Sequence, residues 1–238
     1  MKMMKAWLMT VCFVLAGQAA ANVQLFNAET QNALQALNGG LMSGKVPEAT
    51  AAQPTADNAA VGAYRPTAEV SDKVRSDVIA RLLSLGKASG MTEQAATALA
   101  QGLQGADVIG VTWPVLEGLG YPRDNLVTAT AYWLLVNWDV MQGKESSPAE
   151  TQAVFAQIGA LYAANGEIAQ MSDADKQYGA EAMIWLATLQ HQMYQEALKS
   201  GHEANVNAAR NDARTALRQL GFDADQLQLS DEGFVSRQ

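Results

Sequence analysis

The sequence predicts an all-α protein, with a single domain of six or seven helices packed around a buried central helix at about residues 125–142. Three observations support this prediction. Apolar residues recur every three or four positions from Val70 onwards, as they do along a helix. No run alternates between apolar and polar residues for long enough to demand a sheet. The segment 125–142 is apolar on all sides, which is typical of a helix that is buried on all sides.

The first residues have the layout of a secretory signal peptide. Two lysines precede an apolar run over residues 6–16, and Ala19 and Ala21 fit the small positions of a cleavage site. The run is about half as long as the roughly 20 apolar residues that span a membrane. We therefore expect residues 1–21 to be removed, the mature chain to be periplasmic or secreted, and no membrane insertion after cleavage.

Composition narrows the classes of chemistry and of partner. Cys12 is the only cysteine and lies in the predicted signal, so the mature chain is expected to have no disulfide, cysteine-ligated metal or cysteine nucleophile. Without the two signal lysines the formal charge falls from −8 to −10. Such an acidic domain is repelled by nucleic-acid phosphates, and we expect no nucleic-acid partner.

Residues 22–63 are predicted to contain one short helix, closed by Asn38-Gly39-Gly40, and then a linker of low order that is rich in Ala, Thr, Pro and Gly. The helical domain is predicted to span residues 64–238. Such a linker would act as a tether that leaves the domain free to reach a partner.

The helices of the domain follow from apolar spacing and from their caps. Thr92 is a predicted N-cap, and Ser147 and Ser172 each open a capping-box sequence. Pro114 lacks a backbone N–H and is expected to kink or split its helix. The predicted segments are residues 70–85, 93–103, 106–119, 125–142, one helix after Ser147, one after Ser172, and 202–220.

Two stretches share the pattern Leu-x-x-Leu-Gly-aromatic. The Gly of each follows the last apolar residue of a helix, where the left-handed conformation favours Gly. The aromatic residue, Tyr121 or Phe222, is expected to fold back on its helix, and Asp124 or Asp225 to cap the next element. We interpret the pattern as a helix stop rather than as a functional loop. The stretches are LEGLGYPRDNL at 116–126 and LRQLGFDADQL at 217–227.

The sequence has no conventional metal-binding motif. Its acidic C-terminal stretch has Leu227 and Gln228 where a calcium loop needs an oxygen ligand and a glycine, and the Leu227-Gln228-Leu229 alternation instead predicts a short tail across the helices. Two histidines are too few for a zinc site, and His191 is predicted to be a partly buried structural residue. We expect no metal and no cofactor. The residues considered are Asp223, Asp225, Asp231, Glu232, His191 and His202.

The central helix contains polar residues among its aromatic ones, at Asn137 and Asp139. A buried amide or carboxylate is costly unless it is hydrogen-bonded. These two residues either orient a small molecule in an aromatic pocket, or Asn137 bonds a neighbouring helix or an indole while Asp139 lies where the helix reaches the surface. The predicted ligand-binding set is Tyr132, Trp133, Asn137, Trp138 and Asp139.

No catalytic constellation is evident, and we assign no catalytic residue. The chain lacks G-x-S-x-G. Glu117, Asp124 and Asp139 surround the central helix and would supply the two carboxylates of a cell-wall hydrolase if they converged, although their spacing does not require it. The question of enzymatic activity stays open at this point, and the balance is against it.

Three stretches resemble a family of secreted bacterial all-helical domains of unknown function. The resemblance runs from Tyr64 to Phe234, and its most specific part is the Tyr132-Trp133…Trp138 helix. It implies an exported all-α domain from a Gram-negative bacterium and carries no activity, cofactor or catalytic residue. The stretches are AYRPTAEVSDKV, PRDNLVTATAYWLLVNWDVMQG and LRQLGFDADQLQLSDEGF.

The leading hypothesis for function is an exported, non-enzymatic module that binds another protein as an accessory factor, a chaperone-like subunit or an inhibitor. The alternative is a small-molecule binder that uses the aromatic pocket. A cell-wall hydrolase is the third hypothesis.

Overall fold

A computed structural model shows the architecture of the chain. From Ala68 onwards the described part forms eight helices and then a two-stranded antiparallel hairpin, which confirms the predicted all-α class. The helix that the sequence did not predict is the five-residue α6. The model describes residues 26, 30–32, 34, 35, 60–219 and 221–237. The elements are α1 (Ala68–Ala88), α2 (Glu93–Gln104), α3 (Val108–Gly118), α4 (Leu126–Gln142), α5 (Pro148–Ala164), α6 (Gly166–Gln170), α7 (Asp173–Ser200), α8 (Glu203–Gln219), β1 (Leu227–Ser230) and β2 (Gly233–Ser236).

The predicted helix starts are confirmed by hydrogen bonds. The Thr92 hydroxyl accepts the Ala95 N–H at 3.3 Å, and the Ser172 hydroxyl accepts the Asp175 N–H at 3.1 Å. At Ser147 both bonds of a capping box are formed. These starts were predictable because a cap uses residues within one turn of the chain.

Both Leu-x-x-Leu-Gly-aromatic stretches are helix stops, as predicted. Gly120 and Gly221 have φ of 90° and 84°, and the residue after each donates its N–H to the carbonyl five positions earlier. The predicted cap at Asp124 is wrong, because Asn125 is the N-cap of α4 and accepts the Val127 N–H at 2.8 Å. Asp225 caps no helix either, and the hairpin follows it.

Pro114 neither splits α3 nor ends it. One helix runs from Val108 to Gly118 with Pro114 inside, so the predicted split is wrong. Asp107 caps this helix by accepting the Gly110 N–H at 2.9 Å. The residue four before the proline is Gly110, whose missing side chain leaves room for the capping carboxylate.

Two helices rather than one form the centre of the domain. α4 packs against α5, α7 and α8, while α7 packs against α1, α3, α4 and α8. Every residue from 126 to 131 and from 179 to 187 is buried. Small residues in both runs, such as Ala129 and Ala182, let neighbouring helices approach closely. None of the helices in the described part is long and apolar enough to cross a membrane.

Residues before the predicted domain boundary also belong to this core. Phe26 and Leu34 are buried with the core residues of the later helices, and residues 30–32 are helical. The chain from residue 60 then crosses the start of α4, where Gly62 accepts the Leu126 N–H at 2.9 Å. The predicted signal, residues 1–21, and most of segment 22–63 lie outside the described residues.

The chain ends in a hairpin that lies on the helices. β1 and β2 pair in antiparallel register, with Leu227 opposite Ser236. Gln157 of α5 donates to the Phe234 carbonyl at 2.8 Å and accepts the Phe234 N–H at 2.9 Å. The tail therefore lies where the sequence placed it, and its pairing into two short strands was not predicted. The side chain of Gln157 supplies hydrogen bonds to the strand that local sequence does not reveal.

Candidate functional site

The C-terminal end of α4 separates two surface depressions. The larger has a volume of about 470 Å³ and is lined by one face of α4, the α4–α5 loop and the C-terminal half of α7. Its volume is within the ordinary range for small-molecule pockets. Its walls combine two tyrosines, a histidine and aliphatic side chains with an acidic rim. The principal lining residues are Tyr132, Val136, Asp139, His191, Tyr194 and Leu198.

The smaller depression lies on the other side of the same loop. Its volume is about 250 Å³, and it is lined by α4, the loop, the start of α5, β1 and the residue after β2. Trp138 forms part of its wall and meets the Phe234 ring edge-on at 5.1 Å between centroids. Its polar lining includes Gln142, Glu150, Gln228 and Arg237.

Asp139 lines both depressions. Its carboxylate accepts the Ser146 N–H at 3.1 Å and a bond from the Ser146 hydroxyl, which fixes the loop over the end of α4. Burial raises the pKa of Asp139, the two Ser146 bonds oppose the rise, and the charges of Glu145 and Glu150 add to it. The charges of the two glutamates therefore act on the pKa of Asp139 in the same direction as burial.

A left-handed glycine makes this loop possible. Gly143 ends α4 with φ of 68°, and the Arg210 guanidinium of α8 fills the space that a side chain at position 143 would need. The positive φ favours glycine here, and the flexible end of the Arg210 side chain would have to move to admit any other residue.

The structure does not bring the five predicted ligand-binding residues together. Tyr132 and Asp139 line the larger depression, and Trp138 lines the smaller one. Trp133 and Asn137 are each only 1% exposed and lie in the core. The Asn137 amide donates to the Trp133 carbonyl at 2.8 Å within the same helix, so it bonds neither a neighbouring helix nor an indole. Ligand binding by the three surface members stays a prediction.

The three carboxylates considered for a hydrolase do not converge. Glu117 lies near Asp124, whose pKa is raised first by burial and also by the Glu117 charge. Asp139 lies near the other end of α4, about 20 Å away by the rise of 1.5 Å per residue. Paired glycosidase carboxylates stand about 5–10 Å apart, so Asp139 is too far from the other two to pair with either.

Several of the residues that were considered for a metal site, where none was expected, have other contacts. The Arg218 guanidinium donates to Asp225 at 2.5 Å, and Asp223 accepts the Asp225 N–H at 3.1 Å. Among the described residues there is no group of three or more His, Cys, Asp or Glu side chains that would hold a metal ion. His191 is partly buried in the wall of the larger depression, and His202 is exposed.

A polar seam lies between α1 and α7, formed by Thr67, Ser71, Gln177 and Glu181, of which the two α7 residues are buried. Gln177 is 0% exposed and Glu181 is 1% exposed. The Gln177 amide accepts the Thr67 N–H at 2.9 Å and donates to the Thr67 carbonyl and to Glu181, each at 2.8 Å. Ser71 also donates to Glu181, at 2.8 Å.

Charges near the seam act on the same carboxyl group. Burial raises the pKa of Glu181, the bonds from Gln177 and Ser71 oppose the rise, Asp124 adds to it, and Arg75 lowers it. The pKa of Tyr64 is raised by burial and by the charges of Glu181 and Asp124. Thr67 at one end of the seam is exposed and Ser71 is partly buried, and none of the four residues lines either depression.

The outer side of α3 shows the opposite arrangement, an apolar surface that faces solvent. Val111, Val115 and Leu119 are 60%, 62% and 67% exposed, and Pro114 and Gly118 between them are also exposed. We call these five residues the α3 apolar face. They follow the i, i+3, i+4, i+7, i+8 pattern by which helices ordinarily pack against another element.

Sequence reasoning missed this face although a signal was present. The segment VIGVTWPVL contains no charged residue, and Val111, Val115 and Leu119 recur at four-residue steps. The predicted kink or split at Pro114 would interrupt this four-residue spacing. The inner side of the same helix, with Trp113 and Leu116, is buried.

Along the chain, the charged residues of the stretch that contains the α3 apolar face are all acidic. From residue 88 to residue 122 the chain has three carboxylates and no lysine, arginine or histidine. Glu93 pairs with Lys87 at 3.3 Å. Neither Asp107 nor Glu117 forms an ion pair with a lysine or arginine of the described chain.

The chain was compared with known families, curated proteins and solved structures. The model of a family of unknown function (DUF6683) matches residues 7–237. The chain belongs to this family. No curated protein and no solved structure matches it. The expectation of a family of unknown function is confirmed, and the DUF6683 match extends beyond the Tyr64 to Phe234 stretch on which the resemblance was based.

Membership of DUF6683 transfers no activity or residue role to this chain. The functional candidates are therefore features of its own surface, namely the α3 apolar face and the two depressions beside Asp139.

Proposed function

We propose that this DUF6683 protein is an exported, non-enzymatic helical module that binds another protein, in an accessory, chaperone-like or inhibitory role. The observation that supports it is the α3 apolar face. Contiguous exposed apolar surface on a soluble domain is a mark of an interaction site, whereas single exposed apolar residues are ordinary. The proposal of export to the periplasm or beyond rests on the signal-like layout of residues 1–21.

The energetics favour a partner on this face. Burying a valine or leucine side chain fully is worth about 1.5–3 kcal/mol relative to leaving it exposed. Val111, Val115 and Leu119 obtain little of that stabilisation in the free chain, because each is more than half exposed. A protein that covered all three would gain it on binding.

The experiment is affinity capture of the mature chain, residues 22–238, from envelope extract, in parallel with a Val111→Ser/Val115→Ser variant. We expect one dominant protein at near-equal stoichiometry on the wild-type chain and its loss from the variant. Leu198→Ser is the matched control, because Leu198 is 46% exposed but lies in the larger depression. Equal capture by the wild type and the serine double variant would contradict the proposal.

Export is tested separately by the mass of the chain recovered from the periplasmic fraction. We expect a mass that corresponds to residues 22–238. N-terminal sequencing should begin at Asn22, which would show cleavage between Ala21 and Asn22. Recovery of the uncleaved chain in the cytoplasm would contradict export and leave the binding proposal to the capture experiment.

The larger depression favours a second candidate function, the binding of a small molecule. Its volume of about 470 Å³ and its tyrosine, histidine and carboxylate lining suit an amphipathic ligand. The test is a thermal-shift screen of envelope metabolites on the wild type, His191→Ala and His202→Ala. A stabilising compound should lose its effect in His191→Ala and keep it in His202→Ala, since only His191 lines the depression. An equal shift in all three proteins would place the ligand elsewhere.

A further inference from the structure

We infer that the α3 apolar face is a docking site for an amphipathic helical segment of a different protein, one that has an apolar seam flanked by basic residues. This inference rests on the proposed protein-binding function and names the chemistry of the partner. Recognition of this kind lays the apolar stripe of a peptide helix against an exposed apolar surface.

The shape of the face suits a helix. Its five residues form a ridge from Val111 to Leu119, the C-cap of α3, which is eight steps along the helix or about 12 Å at 1.5 Å per residue. Gly118 faces open space, with no atom within 4 Å of the position that a Cβ would take. Pro114 and Gly118 add no long side chain, so a partner helix can approach the α3 backbone closely.

Two carboxylates beside the face favour a partner with basic residues. Asp107 lies four residues before Val111, in line with the ridge, and Glu117 lies on its shoulder beyond Pro114. Both carboxylates are exposed, and neither pairs with a lysine or arginine in the part of the chain that the structure describes. A partner with lysine or arginine beside its apolar seam complements them, and complementary charge speeds association and fixes orientation.

The same charges argue against a second copy of this chain. A symmetric dimer through α3 would bring the stretch 88–122, which contains acids and no base, against itself. Like charges that face each other across an interface are unfavourable. Anionic lipid is disfavoured for the same reason.

The test uses three labelled 15-residue peptides and fluorescence anisotropy with the mature chain. One peptide has leucines at i, i+4, i+7 and lysines on both flanks; the second has the same seam with glutamates; the third scrambles the lysine peptide. We expect saturable binding of the lysine peptide only, weakening as salt is raised. No binding of the lysine peptide up to about 1 mM, or equal binding of the scrambled peptide, would overturn the inference.

Two variants locate the peptide on α3. Glu117→Lys should weaken the lysine peptide about fivefold and strengthen the glutamate peptide. Glu232→Lys, on the exposed hairpin turn, is the control with the same change of net charge. If both charge reversals reduced the affinity for the lysine peptide equally, the effect would be one of net charge, and the assignment of the peptide to α3 would be overturned.

Gly118→Gln tests the close approach of the partner helix. It adds a polar side chain in open space, so we expect an unchanged fold and peptide affinity reduced about tenfold. Gly166→Gln, at a second glycine with open space around it, is the matched control. Affinity that is unchanged in Gly118→Gln would overturn the inference.

Two other possible occupants of the α3 apolar face, a second copy of the chain and a membrane surface, are distinguished by other measurements. Self-association in light scattering that Val115→Ser abolishes would indicate a second copy. Cosedimentation with phosphatidylcholine vesicles that Val115→Ser abolishes would indicate a membrane surface. Either result would overturn the inference. If the lysine peptide does not bind but capture from extract still depends on Val111 and Val115, the proposed protein-binding function stands and the partner has another chemistry. If capture does not depend on these two residues either, both the proposed function and this inference are wrong.

Discussion

The polar seam between α1 and α7 and the α3 apolar face depart from ordinary burial in opposite directions. The seam places Gln177 and Glu181 in the interior, whereas the face leaves Val111, Val115 and Leu119 in solvent. Buried polar groups and contiguous exposed apolar groups are the informative exceptions, because most residues follow the rule.

The difference lies in whether the chain itself compensates the exception. In the seam, Thr67 and Ser71 form hydrogen bonds with Gln177 and Glu181, which satisfy the Gln177 amide and one oxygen of Glu181, while Glu181 Oε2 is buried without a partner in the described part of the chain. On α3 the apolar side chains are left more than half exposed by the free chain. The first exception therefore has a structural explanation within the chain, while the second has none among the described residues.

The sharpest test of this comparison uses the two sides of α3. Trp113→Ala should lower the free energy of unfolding by about 4 kcal/mol, because it removes a fully buried side chain and leaves a cavity. Val115→Ala, two residues away, should change it by less than about 0.5 kcal/mol. Urea denaturation followed by far-UV circular dichroism measures both.

The small change in stability expected for Val115→Ala is as informative as the large change expected for Trp113→Ala. If Val115→Ala cost as much as a core substitution, the α3 apolar face would be covered within the free chain. The argument for an external partner would then fail.

The next largest effect is expected in the seam. Gln177→Leu keeps the side-chain volume but leaves the Thr67 backbone groups and Glu181 without their amide partner, which should cost about 3 kcal/mol. Gln101→Leu, on the exposed side of α2, is the matched control and should change stability by less than about 0.5 kcal/mol. Equal midpoints in urea for both variants would show that the seam is not structural.

The sequence was sufficient for features that one turn of chain determines. Thr92, Ser147, Gly120 and Gly221 were all recognised because a cap or a helix stop depends on neighbours within about five residues. The hairpin was missed because its strand is held in part by Gln157, 77 residues before Phe234 in the chain. The exposure of α3 was likewise not determined locally, since it depends on which helices pack nearby.

The candidate site shows the same limit on a smaller scale. Consecutive helical residues point about 100° apart, so Tyr132 and Trp133 were certain to face different surroundings. Sequence alone did not show which of the two would reach the surface. Tyr132 lies in the larger depression, whereas Trp133 is closed off by the Phe26 ring, edge-on at 6.4 Å.

The smallest effect is expected for Glu181→Gln, whose free energy of unfolding should differ little from that of the wild type in acid and increasingly as pH rises. Burial raises the pKa of Glu181 above its ordinary value of 4.5, so the folded state binds this proton more tightly than the unfolded state. The stability that the group contributes is present below the ordinary value and is lost as pH rises through the folded pKa. Glutamine resembles the protonated side chain and does not ionise.

We therefore expect the wild type and Glu181→Gln to be nearly equal in stability in acid, and the variant to become relatively more stable as pH rises. Urea denaturation across a pH series measures the difference, with Glu232→Gln as the control for loss of an exposed carboxylate. Other titrating groups cancel in the difference except Asp124 and Tyr64, which interact with Glu181. A wild type that gained stability over the variant with rising pH would show that Arg75 and the hydrogen bonds of the seam outweigh burial. The seam would then be an ionic site, and the comparison with the α3 apolar face would rest on charge rather than on hydrogen bonding.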